Sequence, residues 1–533
     1  MAGTSQHSVG PGGGAQGRHA VARDPRGLSP AAVVAALLAL MVGLWGMGAA
    51  VFHPAPPTDS LEQLLFAQEL RLAYAKHPPL PTWLLWAASR IAGPSVGLTF
   101  LLGALCASVA LLILYLWARA VVGAPRAALA TLLGSLVVYY NTMSGYYNHN
   151  TVQLPFVIAS IALFHRALLR GRLRDWLALG AAAGLALLVK LSVLVIFAAM
   201  AAFVLGWRRD VLRTRAPAIA AAAVVALAIA GPPLFALYAG QAEASHYVGE
   251  ALFSADASLA RRATILWNFL ASAAGSVAPA LLAFAALGRR SGGAPPLAAQ
   301  PVPLGPFLAV VGFGPLAIIA ALALGAGAHL LSPWATPFFS LLTLWLVVAS
   351  PWRIDAPARL LQRALLVVVT LQALLWATTM LNEGRLPNFA RHSPKLALSS
   401  PALSTAVANA WRERSAAPLP TVVAASRNGA PLALGFRGRP LVVDGNRSDF
   451  DRLITPDARE RCGLIVLTGP VDPRDPRPSL PPGVVLDPVD ALDVQIAERG
   501  ETLVVAAPDV RGQLRHWRLA VQWPEPRDGS ACR

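Results

Sequence analysis

Charge, acid and cysteine are all scarce in this chain. Only 13% of its 533 residues are charged, about half the ~25% usual for a soluble domain. A soluble enzyme of several globular domains does not fit that composition. Cysteine is limited to Cys106, Cys462 and Cys532, with no CxxC spacing, which argues against a cysteine-built zinc site and a dense disulfide scaffold. The chain also lacks GxxxxGK[ST], a strand-borne GxGxxG and HExxH. A nucleotide phosphate loop and a helix-borne zinc protease site therefore have no support.

Apolar residues are abundant instead, at 56% of the chain with a mean hydropathy of +0.55. Several runs approach or exceed the roughly 20 residues that cross a bilayer. Residues 1–27 show no apolar period and read as a disordered cytoplasmic tail. The run 28–52 is too long for a signal-peptide core and no small-residue cleavage site follows, so it is expected to stay as an anchor. Ten more spans are expected near 96–118, 127–143, 152–165, 175–189, 191–207, 216–238, 264–287, 306–327, 332–350 and 364–380. The net charge of +17 then reads as cytoplasmic loops rather than a nucleic-acid surface. With the amino terminus inside, eighteen Lys and Arg fall in cytoplasmic segments and six in outer loops. That bias agrees with the topology, and an odd span count leaves the carboxyl-terminal segment outside.

Hydropathy falls after about Leu381, and 17 of the 27 acids lie beyond it. Short apolar runs recur there: Thr421 to Ala424, Leu441 to Val443, Gly463 to Leu467 and Thr502 to Val505. Each is bounded by Pro, Gly or Asp, as buried strands are, and Asp457 to Arg461 reads as helix. A small α/β domain over 381–533 follows, outside the membrane domain of 28–380. Cys462 and Cys532 could pair there or remain as two free thiols.

Ten acids remain outside that domain, and three fall in the first outer loop: Asp59, Glu62 and Glu69. On one continuous helix they lie within about 80° of each other, with Leu61, Leu64 and Leu65 on the other side. Two such carboxylates could take a proton from a hydroxyl or hold a divalent cation. Asp-x-x-Glu is equally a capping-box start. Downstream, Lys76 and His77 precede Pro78, Pro79 and Pro81, with Trp83 and Trp86 following as an interface pair. That Lys-His pair could seat a lipid phosphate or simply snorkel. Lys190 lies between two apolar runs with no hydrophilic loop around it, as a functional charge or an outward-reaching hairpin residue. Two polar-aromatic outer segments, one with Tyr147, Asn148, His149 and Asn150, the other with His329 and Trp334, suit a sugar or a plain aromatic belt.

Together these pieces resemble the GT-C-type glycosyltransferases that use polyprenyl-phosphate sugars. Within them the similarity is to the bacterial branch related to protein O-mannosyltransferases and the lipid A aminoarabinose transferase. It is carried by Asp59-x-x-Glu62, Tyr74-x-Lys76-His77-Pro78-Pro79-Leu80-x-x-Trp83, Tyr147-Asn148-His149-Asn150-Thr151, the Gly184-to-Lys190 run and Trp334-x-x-Pro337. The resemblance covers about residues 30 to 350. It implies a GT-C-like polytopic α-helical fold of about eleven helices, with a small C-terminal α/β extracytoplasmic domain. It further implies a bacterial inner-membrane enzyme whose site faces the periplasm. The implied donor is a polyprenyl-phosphate sugar, and the implied acceptor is lipid A, another glycan or a protein. Asp59 matches the catalytic first-loop acid and Glu62 its companion. Many relatives have adjacent Asp-Glu there, so which carboxylate is the base stays open. Lys76 or His77 matches the loop cation that meets the phosphate, and Lys190 a lysine ending a similar Gly-rich span. Tyr147, Asn148, Asn150, His329 and Trp334 are the expected sugar or acceptor contacts. A divalent cation, if used, would sit on Asp59 and Glu62. The competing expectation is a transporter or flippase for a lipid-linked or anionic solute, using Lys190 as its binding charge.

Overall fold

The computed structural model describes residues 28–53, 56–74, 77–239, 258–288, 297, 300–328, 330–383, 400–436, 440–445, 450–472, 474, 488–510, 512–526 and 532. Among these, seven helices are long and apolar enough to cross a membrane. They are α1 (Pro30–Phe52), α4 (Val96–Val122), α6 (His149–Arg170), α9 (Ala216–Ala239), α10 (Leu259–Gly288), α11 (Leu304–Ala326) and α13, which runs over Ala358–Glu383. Their ends obey local chemistry. Ser29 caps α1, with Pro30 at its first position, and Ser95 caps α4, which stops where Gly123 takes φ 86°.

The remaining expected spans are shorter helices. They include α5 (Ala124–Gly134), α7 (Leu173–Leu187), α8 (Leu194–Trp207) and α12 (Leu342–Val348). A single span over 127–143 is therefore not formed. The α5 helix has 11 residues, about 16 Å at helical rise, and the chain then enters 3₁₀ turns at Val138–Tyr140 and Thr142–Gly145. Span 332–350 is likewise a 3₁₀ turn over Ser332–Phe339 followed by α12. Irregular backbone at membrane depth survives only where protein satisfies it, and protein does so here. The Asn141 amide and the Gln372 amide both donate to the Ser135 carbonyl, at 2.9 and 2.7 Å, and the Thr151 hydroxyl donates to the Tyr146 carbonyl at 2.6 Å. Residues 127–134 are buried throughout, surrounded by other helices rather than by lipid. Gly103 of α4 lies against the turn at Ser144, where a Cβ would overlap the Ser144 carbonyl. The broken segments deliver Asn148 and Trp334 to the same end of the bundle.

Basic residues gather at the other end. Arg126 pairs with Asp355 (3.6 Å), Arg166 with Asp175 (2.6 Å), and Arg208 reaches the Leu168 carbonyl (3.5 Å). The 22 residues of α6 separate that end from Asn148 by about 33 Å.

The first loop forms two short helices, α2 (Thr58–Phe66) and α3 (Leu80–Ala92). Trp83 donates to the Arg71 carbonyl at 2.7 Å, and Arg90 stacks 5.2 Å from the Trp86 ring. Ile91 is 89% exposed beside them, as suits a helix lying at a lipid interface.

Beyond α13 come α14 (Leu403–Arg412), β1 (Thr421–Ala424), α15 (Ser426–Gly435), β2 (Leu441–Val443), α16 (Pro456–Cys462), β3 (Leu464–Pro470), α17 (Pro488–Arg499), β4 (Glu501–Pro508) and β5 (Leu514–Gln522). The sheet order is β2-β1-β3-β5-β4, with β2, β1 and β3 parallel and β5 and β4 antiparallel. Val422, Val423, Ile465 and Val466 have no exposure, because helices cover both faces of the parallel strands. The expected strands and the helix at Asp457 are present. The fifth strand, Leu-Arg-His-Trp-Arg-Leu-Ala-Val-Gln, carries no uninterrupted apolar run at its start and is not among the expected ones.

Cys462 and Cys532 form a disulfide with Cα atoms 4.7 Å apart, closing a separation of 70 residues. Cys106 is the free cysteine among the described residues. Replacing Cys462 by Ser is expected to cost the C-terminal domain about 2–5 kcal/mol. Thermal unfolding of the variant, and of the wild type under reductant, would fall to the same lowered midpoint.

The C-terminal domain docks on the first loop. Leu61, Leu64 and Leu65 of α2 share one buried cluster with Ala430 and Leu432 of α15.

Candidate active site

Asp59 sits in the first turn of α2, where the helix dipole favours a negative charge. It does not cap that helix: Pro57 occupies the cap position and supplies no side-chain cap. The capping-box alternative is therefore not realised, because α2 begins one residue before Asp59. Glu62 follows one turn later and is 8% exposed. Glu69 does not join them. The helix ends at Phe66, and Glu69 lines a separate space beside Arg90 and Leu441. Three acids on one helical face was an expectation for a helix longer than the one that forms.

The second element is the start of α6. Asn148 is its cap: Oδ1 accepts from the amides of Asn150 (2.9 Å) and Thr151 (3.1 Å). That fixes the side chain and aims its NH₂ outward, where it donates to Asp59 Oδ2 at 2.9 Å. Two residues on, Asn150 Oδ1 accepts from Lys190 Nζ at 2.6 Å. Lys190 is the last of three residues between α7 and the short 3₁₀ turn that opens α8. Its ammonium also lies 5.2 Å from the centre of the Trp334 ring, a cation–π contact. Burial pushes its pKa down from 10.5 to about 7, while the Asp59 carboxylate acts in the opposite direction.

The His77 and His149 rings pack with centroids 4.2 Å apart, and His149 Nε2 lies 3.2 Å from the Pro78 carbonyl. Asp59, Glu62, His77, Asn148, His149, Asn150, Lys190, Leu331, Pro333 and Trp334 together line a cavity of about 170 Å³. Lys76 and His329 lie outside the described residues. Tyr147 is placed elsewhere: it has no exposure, and its hydroxyl donates to the Pro81 carbonyl at 2.7 Å. It braces the proline-rich loop rather than facing the cavity. His149 belongs to the motif but not to the expected site residues. Its position between two site asparagines, on the first turn of a helix, was the available signal.

Among the described residues no group of three or more His, Cys, Asp and Glu side chains could enclose a metal ion. Asp59 and Glu62 would offer a cation two carboxylates, a set that fits an ion which keeps several waters and borrows phosphate oxygens.

The family described as dolichyl-phosphate-mannose-protein mannosyltransferase matches residues 76–235, less than a third of the chain. That stretch contains His77, Asn148, Asn150 and Lys190 and begins after the two acids. Among solved structures, ArnT from Cupriavidus metallidurans bound to undecaprenyl phosphate superposes with a TM-score of 0.57 at 15% identity, covering 91% of this chain and 97% of that one. The same protein in the apo state gives 0.55 at 14% identity, with coverage of 91% and 97%. A search of curated protein sequences finds no match. At such identity the likeness is one of fold: the chain has the ArnT fold over nearly its whole length, and the resemblance to GT-C-type glycosyltransferases read from its motifs is borne out.

Proposed function

We propose that this chain is an integral-membrane glycosyltransferase that moves a sugar from a polyprenyl-phosphate donor to an acceptor hydroxyl at the outer face of the bacterial inner membrane. One observation carries this. Asp59 and Lys190, from distant parts of the chain, are held in one cavity by two asparagines of a single helical turn. A base and a phosphate-neutralising cation are what the reaction needs at the two ends of the bond being exchanged.

Asp59 takes the acceptor proton as the hydroxyl oxygen attacks the anomeric carbon. The bond from that carbon to the phosphate oxygen breaks, its electrons leave with the polyprenyl phosphate, and the anomeric centre inverts. Lys190, with His77 and Lys76, balances the charge gained by the leaving phosphate. Glu62 orients the acceptor; with Asp59 it is also the pair that would hold a divalent cation, whose charge would offset that of the leaving phosphate. Asn150 and Trp334 flank the sugar, and Asn148 aims the base. The acceptor is a periplasmic hydroxyl of lipid A, another glycan or a protein.

Three features support the periplasmic placement. The basic ends of the helices lie away from the site, the C-terminal domain packs on the loop that bears the acids, and that domain holds a disulfide, a bond of oxidising compartments. The division into residues 1–27, 28–380 and 381–533 belongs to the same proposal, with α13 running three residues past the second boundary.

The purified protein in liposomes with a polyprenyl-phosphate sugar tests the assignment. Transfer to an added acceptor is expected, and translocation of the lipid-linked sugar without transfer would replace this reading by a transporter. A pH dependence is also expected. As pH rises through about 7, Lys190 loses its proton and kcat/KM for the donor falls. Lys190→Arg keeps its charge across that range, so its rate would show no such decline.

A further inference from the structure

Two residues beyond α2, Gln68 makes contacts that no part of the reaction requires. Its Nε2 donates to the Val442 carbonyl at 2.9 Å, and its Oε1 accepts from the Val442 amide at 3.2 Å. The same NH₂ donates to the Leu65 carbonyl at 2.8 Å, which in the last turn of α2 also accepts from the Gln68 backbone amide at 3.5 Å. Val442 lies at the middle of β2, the outermost strand on its side of the sheet. An edge strand presents amides and carbonyls that water or another strand would otherwise take. One primary amide supplies both here, standing in for the peptide group of a neighbouring strand.

The consequence concerns α2. A helix of nine residues has little stability of its own, so tertiary contacts set where it sits. Its first turn is tied to α6 through Asp59 and Asn148. Its middle is tied to α3, where the Thr82 hydroxyl donates to Gln63 Oε1 at 2.7 Å. Its apolar side rests on α15, and its far end is tied to β2 through Gln68.

We propose that Gln68 is a positioning residue through which the C-terminal sheet holds the helix carrying Asp59 and Glu62 in register with the donor site. The inference rests on the function proposed above and extends it. The C-terminal domain thereby acts on the carboxylates, while the Lys190 ammonium is held by its own partners, Asn150 and Trp334.

That division fixes the test. In Gln68→Ala, kcat for sugar transfer is expected to fall by roughly tenfold or more, since a small misplacement of a catalytic group is that costly. KM for the lipid donor and Kd for polyprenyl phosphate stay within about twofold, because Gln68 bonds Leu65 and Val442 and none of the groups that hold the Lys190 ammonium. Val442→Pro removes the amide hydrogen that faces Gln68, and an edge position tolerates proline. It should reproduce the kcat loss, and the double variant should lose no more than either single one. Wild-type kcat in Gln68→Ala, an equal loss of polyprenyl-phosphate affinity, or losses that multiply in the double variant would each overturn the clamp. Normal turnover in Asp59→Asn defeats instead the function on which it rests. An inactive Asp59→Asn beside a fully active Gln68→Ala defeats the clamp alone.

Discussion

Asp59→Asn loses sugar transfer by about 10²–10⁴-fold, the range that general-base catalysis contributes, and keeps its affinity for polyprenyl phosphate. The substitution preserves shape, and the carbonyl oxygen of the introduced amide can still accept from the Asn148 NH₂ that now meets Asp59 at 2.9 Å. What goes is the capacity to take a proton. Initial rates with a synthetic lipid-linked sugar, alongside binding of the sugar-free lipid phosphate, separate the two. Glu62→Gln, measured in parallel, assigns the base: if Glu62 only orients, that variant retains far more activity. Wild-type rates in Asp59→Asn would remove the proposed chemistry altogether.

The second large effect belongs to Lys190. Its ammonium is bonded to Asn150 and placed against Trp334, so it meets an incoming phosphate with little reorganisation. Lys190→Met keeps the stem and deletes the charge. Removing one stabiliser of a developing oxyanion typically costs about 10²–10³-fold in rate, and kcat/KM is expected to fall by that order. Affinity for polyprenyl phosphate weakens while affinity for the uncharged polyprenol is unchanged. If both lipids weaken together, Lys190 supports the helix packing instead of the phosphate.

Part of this is readable in the chain alone. The bilayer imposes a minimum run length, so the long spans stand out as apolar stretches, and the bias of Arg toward alternate loops gives their expected orientation. Asp59 and Glu62 share a face because they are three positions apart, and helical geometry settles that locally. Lys190 stands out because an apolar run gives a charge no ordinary reason to be there. The strand runs of the C-terminal domain are equally plain, except β5, whose early Arg and His mask it.

Other features are beyond local reading. Whether Glu69 joins the acids depends on where α2 ends, and just past that end the Gln68 amide meets a strand 374 positions away in the chain. Tyr147 and Asn148 are neighbours of similar appearance, yet one turns inward to Pro81 and the other caps α6 and holds Asp59. The 127–143 run is apolar enough to span, but it breaks into turns because surrounding helices satisfy its backbone. The pairing of Cys462 with Cys532 depends on a separation in space that spacing in sequence does not contain.

The sequence by itself determined the solvent and the chemical types available, and set an expected orientation, because run length, charge placement and helical phase depend on near neighbours alone. The tertiary structure decided which of those groups meet. Hydrogen bonds between side chains far apart in the chain form only after the helices pack, and packing selects one partner among several of equal chemistry.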